Sequence, residues 1–198
     1  MSAYFSKIII IITLLSGSIT VNAQKFLIPD DAIVQYAGSI GYISIGAGYE
    51  IFGNKRGNID LNYGYVPKSK GGELHMFTAK FAYKPFVIKI KDWAVIYPFN
   101  PGVFVTYTVD DALSFNFPTD VYPKGYYYWS EAVRPHLYFS NEFRLTKSSM
   151  LDKTGLKALS IYSEFNTNDY YLVNFFQNTS TIPITDIFKL GIGIRAKF

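Results

Sequence analysis

The sequence contains no cysteine and only two histidines, His75 and His136. Disulfides, on which many small exported domains depend, are therefore excluded, as are cysteine nucleophiles and cysteine metal sites. Two histidines without suitably spaced partners do not make a usual metal site, so we expect neither a metal nor another cofactor. The net charge of +4 is mild and contains no basic run, so nucleic acid is not an expected partner.

Long hydrophobic runs are also scarce, and the one clear run lies at the start. Lys7 precedes the apolar stretch Ile8–Leu15, and Val21–Ala23 offers small or modest residues for cleavage. This order predicts a cleaved signal peptide over residues 1–23 and a single mature domain over 24–198. The alternative is an uncleaved N-terminal anchor. Beyond this run no apolar stretch is long enough for a transmembrane helix.

Aromatic residues and a two-residue alternation are what the sequence has in abundance. Tyrosine and phenylalanine number 17 each, and such residues favour strands and membrane interfaces. The ending "IFKLGIGIRAKF" alternates apolar residues with glycines and cations, and similar alternation recurs at 43–51, 58–65, 77–83, 103–109, 133–145 and 158–165. These stretches predict seven strands. The segment 25–36 is either an eighth strand or a plug in the lumen.

Alternation alone also fits a soluble sandwich or a lipocalin-like barrel. Here, however, the polar set carries glycines and single charges of both signs, whereas the apolar set is rich in aromatics and isoleucine. That distribution predicts an all-β fold: a closed antiparallel transmembrane β-barrel of eight strands, with a polar packed lumen. Eight strands leave a lumen filled by side chains.

The C-terminal strand and the loops predict location and orientation. A last alternating strand that ends on Phe198 resembles the signal recognised by the barrel-assembly machinery of the outer membrane. We therefore predict the outer membrane of a Gram-negative bacterium, with outer-membrane lipids (lipopolysaccharide) and that machinery as partners. Loops 66–72, 110–128 and 167–185 are then expected on the outer face. The other predicted connections are the short turn 53–57, the connection 86–96 and the short loop 147–154.

By strand phase, charged residues of both signs point into the lumen. Buried charges must be paired, so the first interpretation is a structural salt-bridge network, and the alternative is a gated narrow pore. His136 is interpreted as a lumen histidine, since Ser140 is roughly 13 Å away along the strand, too far for a nucleophile–base pair. The predicted lumen set is Glu50, Asp60, Lys80, Arg134, His136, Glu142, Arg144, Glu164, Lys189 and Arg195.

Two further features lie toward the predicted outer face. The aromatic cluster Tyr126, Tyr127, Tyr128 and Trp129 suits an interface belt, or a binding surface for acyl chains or glycans, with Asp169–Phe176 as a companion lid. His75 is expected to point outward at headgroup level, where it could meet phosphate, act as a base, or have only an interfacial role.

The stretches "HMFTAKFAYKPF" and "IYPFNPGVFVTYT" are similar to the middle of the outer-membrane lipid A 3-O-deacylase family, and "YPKGYYYWSEAVR" and "EFNTNDYYL" resemble uncharacterised Bacteroidetes-type barrel relatives. The resemblance covers most of residues 38–198. It implies an outer-membrane barrel and, in the deacylases, an outward-facing His-x-Ser pair with a carboxylate nearby. In "LSIYSEFN", Ser163 and Glu164 are present but Ile161 replaces the histidine.

The leading functional hypothesis is thus a non-enzymatic barrel with a structural or surface lipid- or ligand-interacting role. One alternative is a lipid A-modifying acyl hydrolase that uses Ser163, with His75 as a substitute base and Glu164 as the nearby carboxylate. The other alternative is the narrow pore.

Overall fold

The computed structural model describes residues 28–111, 113 and 130–198. The predicted signal peptide and the cluster Tyr126–Trp129 lie outside the described residues. The described strands are β1 (Asp31–Ala37), β2 (Ile43–Ile51), β3 (Gly57–Val66), β4 (Leu74–Tyr83), β5 (Ile88–Ile90), β6 (Ala94–Val109), β7 (Val133–Leu145), β8 (Ala158–Asn168) and β9 (Lys189–Lys197). The helices are α1 (Ser149–Thr154) and α2 (Asp169–Gln177), with 3-10 turns at Lys68–Lys70 and Ile184–Ile187.

The sheet closes on itself as a barrel with eight strand positions around its circumference, each antiparallel to its neighbours. Each long strand pairs with the next along the chain, β4 pairs with β6, and β1 pairs with β9 to complete the circuit. The predicted all-β, closed, eight-stranded antiparallel barrel is confirmed. The segment left open between strand and plug contains β1, in which Val34 pairs with both Ile45 and Ile194.

One strand position of the barrel is interrupted, between β4 and β5. After β4, the chain passes Pro85 and resumes as β5, which forms a hairpin with the first residues of the 16-residue strand β6. Proline has no N–H to donate to the ladder, which explains the break. Arg56 bridges it, since its carbonyl accepts from the Lys84 N–H at 2.8 Å and its guanidinium donates to the Pro85 carbonyl at 3.0 Å. The sequence pattern predicted only a connection over 86–96, and the hairpin corrects it.

The barrel has two unlike ends, here called the long-loop end and the short-turn end. The long-loop end carries the connections 38–42, 67–73 and 169–188, the last of which contains α2, and there β6 ends and β7 begins. The short-turn end carries 52–56, 91–93, 146–157 and the C-terminus, where the Phe198 N–H donates to the Asp30 carbonyl. The predicted short loop 147–154 contains α1, capped by Ser148, whose hydroxyl accepts from the Leu151 N–H.

The loop 38–42 tucks inward against β3. Ile40 is fully buried, and a Cβ placed on Gly64 would lie 1.7 Å from the Ile40 carbonyl oxygen. Only glycine permits this approach at position 64. The tucked loop narrows the lumen at the long-loop end.

Successive side chains of each strand alternate between the lumen and the outer wall, and the polar face is the inner one. Charged and amide side chains are buried in the lumen, whereas aliphatic and aromatic side chains are exposed on the outer wall; Val34, Ile45, Leu61, Phe77, Val105, Leu137, Ile161 and Ile194 are each between 44% and 59% exposed.

None of the helices in the described part of the chain is long and apolar enough to cross a membrane.

Candidate functional site

Arg195 on β9 forms the centre of the lumen. Its two terminal nitrogens donate to the two carboxylate oxygens of Asp60 at 2.9 and 2.7 Å, and Nη1 also donates to Asp31 at 3.2 Å. Such a two-pronged arrangement is the geometry that guanidinium and carboxylate groups favour. Gly48 provides the space for the Arg195 guanidinium, since a Cβ at position 48 would lie 2.5 Å from Nη1 of Arg195.

A second cluster fills the lumen toward the short-turn end. Arg144 donates to Glu142 at 2.9 Å and to Glu50 at 3.1 Å. Lys84 lies 3.1 Å from the other oxygen of Glu142, and Lys197 pairs with Glu50. Ser160 donates to Glu142 at 2.7 Å. All these groups but Ser160 are charged, and each carboxylate contacts two cations.

A third cluster lies toward the long-loop end of the lumen. Lys80 donates to Glu164 at 2.6 Å and to the side-chain oxygen of Gln35 at 3.1 Å. Tyr162 donates to the same Gln35 oxygen at 2.9 Å. The Asn166 amide donates to Glu164 at 3.2 Å. The pair of opposite charges is thereby embedded in neutral hydrogen-bonding groups.

Together the three clusters balance. The buried carboxylates Asp31, Glu50, Asp60, Glu142 and Glu164 face the five cations Lys80, Lys84, Arg144, Arg195 and Lys197. A cavity of about 20 Å³ lies among them, enough for about one water molecule. The pairing of charges in the described lumen favours the structural network over the narrow pore.

Three members of the predicted lumen set lie outside these clusters, near the long-loop end. Arg134 is 30% exposed and pairs with Asp169 on α2 at 3.2 Å. Lys189 is exposed, with its ammonium 5.1 Å from the centre of the Tyr171 ring. His136 contacts no carboxylate among the described residues. Its Nε2 lies 3.2 Å from the Thr106 hydroxyl and its ring stacks on Phe104 at 4.2 Å. Seven of the ten residues predicted for the lumen therefore belong to the three clusters, and these three do not.

Sequence reasoning also missed three members of the network, namely Asp31, Lys84 and Lys197. Each shares strand parity with a residue that faces the lumen: Asp31 with Gln35, Lys84 with Lys80, and Lys197 with Arg195. Parity was the available signal. For Asp31 this signal is weakened by "IPDD", which breaks the alternation.

Above the clusters, the long-loop end opens into a cavity of about 430 Å³, here called the cup. His136 and Thr106 lie at its base, Tyr42 and Tyr171 form part of its wall, and Lys70, Arg134 and Lys189 contribute cations. The described residues that line the cup include no carboxylate. Nearby, outside the cup, Lys68 pairs with Glu73 at 3.1 Å and lowers the pKa of that carboxyl group.

The candidate catalytic residues are not brought together. Ser163 lies on β8 and His75 on β4, with β7 and β6 between them on the nearer side of the barrel. Three strand spacings amount to about 14 Å, far beyond a hydrogen bond. Glu164 points into the lumen toward Lys80, on the opposite face of β8 from Ser163. The described residues therefore contain no dyad of these side chains.

His75 instead belongs to an aromatic group on the outer wall. Its Nδ1 lies 2.6 Å from the Tyr63 hydroxyl, and its ring lies 5.3 Å from that of Tyr65. Below this group the wall forms an apolar groove of about 770 Å³, in which Ala47 and Ala79 lie between larger side chains such as Leu61 and Phe77.

Within the described residues no group of three histidine, aspartate or glutamate side chains is arranged to hold a metal ion. Comparison with known proteins finds no matching family model, no similar curated protein and no similar solved structure. The resemblance to the deacylase family stays a prediction.

Proposed function

We propose that this chain is an outer-membrane barrel of a Gram-negative bacterium, with a closed lumen and a non-enzymatic role at the membrane surface. The observation that carries the proposal is the inverted barrel: paired charges inside and an exposed apolar wall outside. A soluble barrel would leave such a wall in water at a large hydrophobic cost. In a bilayer the same wall is solvated by lipid, and closure pairs the strand edges.

The aromatic side chains support membrane insertion. Near the long-loop end Tyr36, Tyr63 and Tyr107 project from the wall, and near the short-turn end Tyr83 and Trp93 do so. Two such girdles are typical of transmembrane barrels, because amphipathic rings favour the headgroup layers. Strands β2, β3, β4, β8 and β9 have 9–11 residues, the length that crosses a bilayer when tilted.

The surface role that the geometry favours is contact with outer-leaflet lipid. The groove between Ala47 and Ala79 lies at the depth expected for acyl chains, and the His75–Tyr63 pair lies above it at headgroup level. Outer-wall side chains such as Ile45, Leu61 and Phe77 line most of the groove, so an acyl chain could enter it directly from the membrane. Lipid packed there would cover the exposed wall on strands β2, β3 and β4.

The proposal is tested by refolding the full chain into phosphatidylcholine vesicles and into planar bilayers. We expect a compact, protease-resistant form that migrates faster on an unheated gel than after boiling, and no step increase in ion conductance. A chain that stays soluble and monomeric without lipid or detergent would contradict membrane insertion. Stable unitary currents from an inserted, folded chain would contradict the closed lumen.

The enzymatic alternative is tested by mass spectrometry of lipid A from cells with and without the protein. We expect the acyl pattern to be unchanged, because Ser163 has no histidine within reach among the described residues. Loss of an acyl chain that is abolished by Ser163→Ala, in a variant still folded in the membrane, would overturn the non-enzymatic assignment and support the family resemblance.

A further inference from the structure

The cup at the long-loop end differs from the lumen interior in the state of its charges. Lys70 and Lys189 make no ion pair with a described carboxylate, whereas all five lumen cations below do. An unpaired cation at the edge of a low-dielectric cavity is an attraction for an anion, because the walls focus its field.

The two lysines are positioned by aromatic rings. The Lys70 ammonium lies 5.5 Å from the centre of the Tyr42 ring, and the Lys189 ammonium lies 5.1 Å from that of Tyr171. Cation–π contacts hold a charge in place without neutralising it, unlike a carboxylate partner. Arg134 adds a third cation, one of whose terminal nitrogens is bound by Asp169.

The base of the cup is polar. His136 is 4% exposed and Thr106 is 3% exposed, and both line the cavity. Among the described residues, the Nδ1 atom of His136 has no hydrogen-bond partner and is closed off from solvent, and Nε2 lies 3.2 Å from the Thr106 hydroxyl. The Thr106 hydroxyl and the edge of the His136 ring give the cup a polar base that can meet the hydroxyl groups of a ligand.

We propose that the cup binds a small anionic sugar, either a sugar acid or a sugar phosphate. Cations near the rim meet the acidic group, the Tyr42 and Tyr171 rings pack against the sugar ring, and the polar base receives hydroxyls. The volume of about 430 Å³ lies in the usual range of small-molecule sites, roughly 300–1,000 Å³. The inference rests on the proposed function in its ligand-interacting form, since it requires the long-loop end to face the medium.

The short-turn end has its own basic cavity of about 720 Å³, to which Lys55, Lys89 and Lys157 contribute. These lysines make no aromatic contact in the described structure that would fix them, and Lys197 and Arg144 beside them already pair with Glu50. This cavity therefore provides charge without a shaped site. It supplies matched controls for the test.

The test is calorimetric titration of the full chain, folded in a neutral detergent, with glucuronate and with glucose 6-phosphate. We expect saturable binding of at least one of them, weakened about tenfold or more by Lys70→Gln with Lys189→Gln, because two charge-assisted contacts are lost. Glucose, which is neutral, should bind far more weakly. The control pair Lys55→Gln with Lys157→Gln removes the same charge at the other end and should leave affinity unchanged.

The inference is overturned if neither charged sugar binds, if the control pair weakens binding as much as the cup pair, or if sulfate competes as well as the sugars. Adding purified lipopolysaccharide micelles as a competitor distinguishes the source: competition that requires the cup lysines points to sugars of the cell surface, and its absence to a free sugar. Gel mobility of the unheated chain is recorded for every variant. A folded barrel that binds nothing sinks this inference alone, whereas failure to insert into vesicles sinks the proposed function.

Discussion

The lumen face of the strands lines both the interior of the barrel and its mouth, which is the part of the long-loop end around the cup. The two regions differ in how their charged side chains are stabilised. In the interior each of five carboxylates meets a cation, around a cavity of about 20 Å³. At the mouth the cations Lys70 and Lys189 rest on tyrosines around a cavity of about 430 Å³. Burial enforces pairing because an isolated charge in low dielectric is very costly, and where water enters that requirement lapses. Single charges survive only where they can be hydrated, or where a ligand can use them.

The largest expected effect comes from breaking the interior at its centre. Arg195→Met leaves Asp60 and Asp31 buried without their cation, and we expect a loss of about 3–5 kcal/mol in the free energy of unfolding. Urea unfolding in vesicles, followed by gel mobility, measures it. In the matched triple variant with Asp31→Asn and Asp60→Asn, much of the loss should be recovered, because no uncompensated charge remains. A loss below about 1 kcal/mol for Arg195→Met would show that water reaches this site.

The next effect tests packing in place of charge. A Cβ on Gly193 would lie 2.4 Å from the Tyr162 ring, which is held by its hydrogen bond to Gln35. Gly193→Ala should therefore destabilise the barrel by about 1–3 kcal/mol. Gly53, where a Cβ meets nothing within 4 Å, provides the control. Equal unfolding midpoints for Gly193→Ala and Gly53→Ala would mean that the interior is less tightly filled than the geometry indicates.

At the mouth, the same kind of ion pair should matter much less. Arg134 is 30% exposed, so Asp169→Asn is expected to cost at most about 1 kcal/mol. The comparison with Arg195→Met in one urea series measures how steeply the value of a pair falls from interior to mouth. A cost for Asp169→Asn comparable to that of Arg195→Met would show that the mouth is as dry as the interior, and would remove the contrast.

Strand parity accounts for how much of this could be predicted. It identified the strands and which charged side chains face the lumen, including Glu142, Arg144 and Arg195, because a two-residue period is a property of the chain alone. Parity carries no information about depth. Lys189 and Arg195 lie on the same face of β9. Lys189 is exposed beside the Tyr171 ring, whereas Arg195 is buried and binds Asp60. Depth depends on register and tilt, which are set by pairing between strands far apart in sequence.

The other misses have local causes. Pro85 interrupts the alternation, so the sequence pattern does not reveal the β5–β6 hairpin. The helix at 169–177 begins at a local signal, the cap residue Asn168, whose side chain accepts from the Tyr171 N–H. The pairing of Ser163 with His75 was a question of which strands adjoin, and no feature of either local sequence contains that information.

The smallest effect is expected at the short-turn end, opposite the mouth, where the charged side chains are exposed and burial does not require them to form ion pairs. Lys147 and Asp92 join two turns at 2.9 Å with both side chains largely exposed, and this hydrogen bond lowers the pKa of Asp92. A lowered carboxyl pKa gives stability that is present above the unfolded-state pKa and is lost as pH falls through the folded-state pKa. Asp92→Asn should therefore leave the unfolding midpoint unchanged within error at pH 7, and should remove only a slight acid-side dependence that added salt also removes. A large midpoint shift at pH 7 would show that exposed pairs hold this barrel together. The rule that pairing matters in proportion to burial, from Arg195 through Arg134 to Lys147, would then fail at its easiest point.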